Sequence, residues 1–435
     1  MNFKQLLIPP LLGLPLMFMG CGSNTSTDPA TDNSGSNTDS TINNSVWIIN
    51  TTNEVSQNLF ESGTNQGSFV NVQSVETETV DDLVYTVVSA TGIANYQVTL
   101  NQDNINALNA RPKAATDFLS GNTTALADVS FEFGQNIGYN SNSNCTSTGG
   151  AGYWPPGPVC PENLSRTGYF PNSPEPATVV VESGLGAMGY WVNGTSIYQW
   201  GDGQSYNNEG VWQTLAPVAE LYDVDVCGGH AANGDYHHHF STGCLEKMVN
   251  DEGTGHSPIY GYAADGYAIY GPWHSNGVLA KSSWVVRDYA NVASATGCGA
   301  AGVRNCVLKD QFDVAQGTEA AAFSGPSTTG EYTSLSGNVF ATSAGFFYED
   351  FYWDSFITDL GGNNLDQYNG HDSDDNLGYH YHVTITQDDS GAQTPAFPYT
   401  IGPRFYGKLQ DNSIASSDAA VGGPPIGGPP PPGGG

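Results

Sequence analysis

Nine histidines occur in the 435-residue chain, and seven of them fall in two short segments. The first carries His230 and then Tyr236-His237-His238-His239; the second carries His371 and then Tyr379-His380-Tyr381-His382. On an extended strand successive side chains alternate faces, so His237 shares a face with His239, and His380 with His382. His-x-His on a strand sets two imidazoles one pleat repeat apart, close enough to chelate one ion. Two such pairs facing one another would offer four nitrogens to a common ion, and His256, which opens HSPIYGY, is a fifth candidate. His238 points away from its neighbours and is not expected to bind, and His274 stands apart. His230 and His371 are each open to three roles: ligand, general base or loop anchor. Imidazole suits zinc, copper, iron and nickel; with no Cys-pair metal spacing and with carboxylates at hand, copper or zinc leads. The competing structural reading is a half-buried, hydrogen-bonded core strand in which tyrosine packs inward.

Carboxylates accompany these histidines. Asp225 and Asp366 each precede a Gly-His pair by a few residues and either orient an imidazole from behind or cap a turn. Asp265 is a third candidate of this kind, although its Asp-Gly turn already explains it. The loop HDSDDN holds Asp372, Asp374 and Asp375, alternating oxygen donors that raise calcium as a lesser option; the EF-hand spacing with its terminal Glu is missing. There is no G-x-S-x-G elbow, no HExxH and no phosphate-cradling glycine loop.

The elements that must position these groups repeat. Gly189-Tyr190-Trp191-Val192-Asn193-Gly194-Thr195-Ser196-Ile197-Tyr198 aligns without gaps to Gly261-Tyr262-Ala263-Ala264-Asp265-Gly266-Tyr267-Ala268-Ile269-Tyr270. The central Asn-Gly or Asp-Gly predicts a hairpin with a type I′ turn, positive φ at both positions. Each hairpin is followed by D-x-x-x-G-H and then Y-H-x-H. The chain therefore reads as two copies of one unit, about 186–240 and 258–385, the second with an insertion at roughly 275–360. A pseudo-twofold arrangement is expected, with the two Y-H-x-H strands meeting near the axis.

Elsewhere β-branched and aromatic runs bounded by turn residues predict strands at 46–50, 83–90, 96–100, 177–183 and 381–387; the best short helices lie around 104–119 and 243–250. The expected fold is mainly β, β-sandwich-like with the internal pseudo-repeat, few short helices and disulfide staples. Lys4, the apolar run Leu6–Met19 and the sequence Gly20-Cys21 read as an export signal over 1–20 with a lipid-acceptor cysteine at Cys21. A flexible tether (21–45), a β-rich subregion (46–174), the motif-bearing domain (175–410) and a Pro/Gly tail (411–435) complete the expected order. Removing Cys21 leaves six cysteines in neighbouring pairs, Cys145 with Cys160, Cys227 with Cys244 and Cys298 with Cys306. Local pairing is preferred among the 15 possible arrangements. The formal net charge of −32, from 11 Lys+Arg against 43 Asp+Glu, repels phosphate backbones, so nucleic acid is not expected as a partner.

In the order DVCGGH…YHHHF…CL, HSPIYGYAADGYAIYGP, LDQYNGH…GYHYHVT, the chain resembles the YHYH-domain family over about 175–405. It departs at His238, where the second Tyr of the motif is expected, and at Tyr368, where the family often has Cys. The resemblance implies a secreted or surface protein and supplies no reaction. The leading expectation is thus an exported, lipid-anchored protein of the cell envelope that binds copper or zinc. The alternatives are a metal-dependent extracellular enzyme, hydrolytic or oxidative, and a surface module binding glycans or protein partners through its aromatic residues.

Overall fold

Two hairpins paired back to back organise the molecule. The structure, a computed structural model, describes residues 42–110, 118, 120–139, 152–153, 160–221, 224–240, 242–333, 338–372, 376–389, 391–411 and 413–414. The export signal, Cys21, Cys145, Asp374, Asp375 and nearly all of the Pro/Gly tail lie outside the described residues. Eleven strands matter for the site. They are β1 (Val72–Val80), β2 (Leu83–Ala90), β3 (Arg166–Pro171), β4 (Ala187–Trp191), β5 (Ser196–Tyr198), β6 (Gly229–Ala232), β7 (Asp235–His238), β8 (Ile259–Ala263), β9 (Ala268–Tyr270), β10 (Gly370–Asp372) and β11 (Tyr379–His382).

Eight of them form one sheet in the order β6-β7-β5-β4-β8-β9-β11-β10. Read from its centre outward, each half repeats the same order: first hairpin strand, second hairpin strand, Tyr-His strand, Gly-His strand. The two halves join through antiparallel β4 and β8, whose register is centred on Tyr190 opposite Tyr262, equivalent residues of the two copies. This makes the pseudo-twofold axis perpendicular to the sheet. A Cβ added at Gly189 would lie 2.2 Å from the Tyr262 carbonyl oxygen, and one at Gly261 2.5 Å from that of Tyr190. The glycine of each G-Y pair is therefore required by close approach at the dyad.

Both hairpins form, but their turn differs from the expected type. Gly194 and Gly266 have φ of 81° and 91°, whereas Asn193 and Asp265 are not in the positive-φ region. Gly194 N–H donates to the Trp191 carbonyl and Trp191 N–H to that of Thr195; Gly266, Ala263 and Tyr267 repeat the pattern. This is a three-residue loop in which only the glycine must be left-handed. The Asn193 and Asp265 side chains accept the backbone N–H two residues on, which removes the need for a second positive φ.

The three-stranded sheet β1-β2-β3 packs on the large sheet, giving the sandwich-like layering. Val72, Val88 and Phe170 share one core with Tyr190, Tyr262, Ile197, Ile269 and Tyr381. The VWIIN segment is not a ladder strand: it contributes a short 3₁₀ turn, Asn44–Val46, and a single bridge from Ile49 to Val72. Helices at Gln102–Ala110 and Gly243–Met248 match the expected places. Cys227–Cys244 and Cys298–Cys306 are disulfides, and Cys160 is also disulfide-bonded.

Within the insertion, Arg304 and Asp350 form a fully buried two-pronged ion pair at 2.7 and 2.8 Å. The remaining guanidinium donors reach the carbonyls of Pro326, Thr342 and Ser343, and Asp350 Oδ2 also accepts from the N–H groups of Gly345, Phe346 and Phe347. Deleting one partner strands a charge in a dry site. Arg304→Ala is expected to destabilise the fold by about 3–5 kcal/mol, read as a shifted denaturant midpoint.

Candidate metal centres

The sheet register decides where the histidines go. Gly-His strand β6 pairs antiparallel with β7, placing His230 directly opposite His237; β10 pairs with β11, placing His371 opposite His380. The adjacent parallel pairings set Ser196 beside His237 and Tyr270 beside His382. Followed inward, the alternation puts both histidine sets on the face that carries Tyr190 and Tyr262. The glycine before each histidine has a reason as well. A Cβ on Gly229 or Gly370 would come within 2.5 Å of the Tyr236 or Tyr379 hydroxyl.

Two clusters result, one per half. His230, His237 and His239 bring one ligand-capable atom each within 4.8 Å of one another, and so do His256, His380 and His382. In the first, ring centroids lie 4.7–5.8 Å apart; in the second, 5.0–5.3 Å. His371 joins the second cluster, 4.9 Å from His380 and 5.1 Å from His382. His274 lies 5.4 Å from His371, so it does not stand apart.

The expectation of one ion shared by both His-x-His pairs is overturned. The axis passes between β4 and β8, so β7 and β11 lie on opposite wings, five strand spacings or roughly 24 Å apart. Pairing through the first hairpin strands pushes the Tyr-His strands outward instead of toward the axis.

Five imidazoles share one anchoring pattern. Nδ1 of His237 faces the Asp235 carbonyl at 2.9 Å, that of His380 faces Gly378 at 2.7 Å, that of His382 faces Gly271 at 2.7 Å, and that of His256 faces Ser257 at 2.9 Å. His239 Nδ1 meets the Gln199 carbonyl. A carbonyl oxygen only accepts, so Nδ1 carries the proton and Nε2 keeps its lone pair. That tautomer and that backbone anchor are what a metal-bound histidine requires. Burial, reinforced by neighbouring His230 and His239, holds His237 well below the usual imidazole range, and burial with His380, His371 and His256 does the same to His382. Both are neutral at pH 7.

The aspartates do not orient imidazoles. Asp225 accepts from the N–H groups of Cys227 and Gly229 and from Tyr236 Oη; Asp366 accepts from Tyr368, Gly370 and Tyr379 Oη. They cap the Gly-His turns. Asp265 accepts from Tyr267 and Gly407 N–H and from Tyr381 Oη, on the face opposite the histidines. Burial raises Asp225 to about 7 and Asp265 and Asp366 to about 6, against the opposing pull of these donors. His238 is fully buried, its Nε2 3.3 Å from Tyr236 Oη, and burial drives it down to about 3. As expected, it lies away from the cluster. Sequence reasoning missed Glu220, whose Oε2 lies 3.3 Å from His230 Nε2 and 3.1 Å from His239 Nε2. Burial alone would raise its carboxyl; the two imidazoles hold it well below the carboxylate range. Nothing in its local context, Ala-Glu-Leu, marks it.

Fold and clusters together define a class, a dyad-related β protein with a buried histidine cluster on each wing. The family model described as YHYH protein matches residues 167–388, about half of the chain, and the chain belongs to that family. No curated protein and no solved structure gives a significant match. Tyr368, at the position where Cys was expected, leaves the second copy without an equivalent of Cys227–Cys244; Asn369 takes up the load, donating to the His382 and Thr400 carbonyls. Asp366→Ala removes a turn cap and strands the Tyr379 hydroxyl, so a loss of about 2–3 kcal/mol is expected in chemical denaturation. The folded fraction should keep its full metal content, which an orienting role would not allow.

Proposed function

We propose that this protein binds transition-metal ions, copper or zinc, at two separate centres, one on each wing of the sheet. The observation that carries the reading is the set of five imidazoles, four buried and His256 half-buried, whose Nδ1 protons are donated to backbone carbonyls. A buried core histidine pairs both ring nitrogens, one as donor and one as acceptor. Five held the same way, in two groups with ligand atoms within 4.8 Å, are arranged for a guest cation. His382 Nε2 is buried with no hydrogen-bond partner, a cost that coordination removes. Burial of the histidines favours holding an ion over turning over a substrate, since a catalytic centre keeps a position open. Two cavities, of about 700 and 310 Å³, are lined by other residues.

Purified chain loaded with copper or zinc and analysed by mass spectrometry of its metals is expected to hold two equivalents. The double change His380→Ala/His382→Ala should leave one. Less than a tenth of an equivalent in the loaded parent would end the metal reading.

The site of action we infer is the cell envelope, with Cys21 as lipid acceptor. The disulfides and the net charge of −32 support this, because such bonds persist outside the reducing cytosol. In fractionated cells Cys21→Ala should move the protein from the detergent phase to the aqueous phase. Unchanged partition would remove the lipid anchor from the reading.

A further inference from the structure

We infer that Glu220 is the fourth ligand of the first centre, making it a closed three-histidine, one-carboxylate site that favours zinc; this rests on the metal reading above. The Glu220 carboxylate is turned into the histidine cluster. Its Oε2 is 3.3 Å from His230 Nε2 and 3.1 Å from His239 Nε2, and its side chain is only 20% exposed.

The contact with His239 is the telling one. Its Nδ1 proton is committed to the Gln199 carbonyl, so in the neutral ring Nε2 is a lone pair. A carboxylate oxygen 3.1 Å away is also a lone pair. Two acceptors are held face to face at contact distance in a buried site, which is repulsive unless positive charge lies between them. A second proton on His239 would pair this contact alone; the His230 and His237 rings lie edge-on to it, at centroid distances of 5.8 and 5.0 Å. A divalent cation between Glu220, His230 and His239 removes that repulsion, and His237 lies within 4.8 Å of the other two imidazole ligand atoms to complete the set. In a tetrahedron with bonds of about 2.0–2.1 Å the ligand–ligand edge is about 3.3 Å, close to both Glu220 contacts.

The consequence is chemical. Three imidazoles and one carboxylate complete the tetrahedral shell that zinc prefers and leave no position for substrate. The first centre therefore retains its ion. The second draws on a larger imidazole set: His256, His380, His382, His371 and His274. The chain thus carries two centres of unlike composition, and the carboxylate distinguishes them.

The test is zinc competition and cobalt(II) absorption on the full chain, comparing Glu220→Gln with the parent. Gln keeps the shape and removes the charge. One of the two zinc equivalents is expected to weaken at least about tenfold, with a shifted cobalt d–d band, while the other equivalent keeps its affinity. Circular dichroism verifies the fold; if the Gln variant does not fold, Glu220→Asp, which retracts the carboxylate by one methylene, is expected to show the same one-site weakening. A folded variant that keeps both affinities and an unchanged cobalt spectrum overturns the role of Glu220 and leaves the two-centre reading intact. A parent that takes up no zinc or cobalt sinks that reading itself.

Discussion

The pairing of β4 with β8 at Tyr190 and Tyr262 constrains everything outside it. Two identical strand edges can meet antiparallel only about a twofold axis, and here the two glycines beside the tyrosines let the backbones close to hydrogen-bonding distance. Once that seam is set, each hairpin can add strands only on its outer side. The Tyr-His and Gly-His strands then follow in mirrored succession to the two edges.

The Y-H-x-H motif divides its strand between two chemistries. The histidine face is fixed by donation to main-chain carbonyls, which orients Nε2 inward, while burial and the neighbouring imidazoles keep His382 neutral. The tyrosine face is fixed by carboxylates: Tyr379 donates to Asp366, and Tyr381 to Asp265. Buried hydroxyls and buried carboxylates satisfy each other there, and the aspartates also cap turns. This is why the aspartates look like partners of the histidines in sequence yet serve the opposite side of the sheet.

The halves diverge where symmetry is not needed. Asn193 and His238 occupy the places of Asp265 and Tyr381, so a carboxylate–phenol contact gives way to an imidazole packed against Trp191, Tyr96 and Tyr236. A disulfide closes the loop carrying His230, His237 and His239, whereas Asn369, at a φ of 69°, holds the corresponding turn of the second copy through side-chain hydrogen bonds. Loss of the covalent staple is compatible with the same backbone because Gly228 and Asn369 both accept the left-handed conformation.

Local periodicity made much of this legible. The alternation of His and Tyr fixed which side chains share a face, and the repeated G-Y-x-x-[ND]-G pattern fixed two hairpins. The cysteine spacing anticipated two local disulfides, and the unusual motifs identified the family. These are properties of neighbouring residues, which the chain writes directly. What it did not write is which edge of each repeat meets the other, because both hairpin strands carry similar apolar patterns and only close packing at Gly189 and Gly261 selects between them. That choice separated the His-x-His pairs and brought His256, His274 and Glu220 to their places from segments outside the motifs. Side chains recruited across long sequence separations obey no local period, so only the tertiary structure decided them.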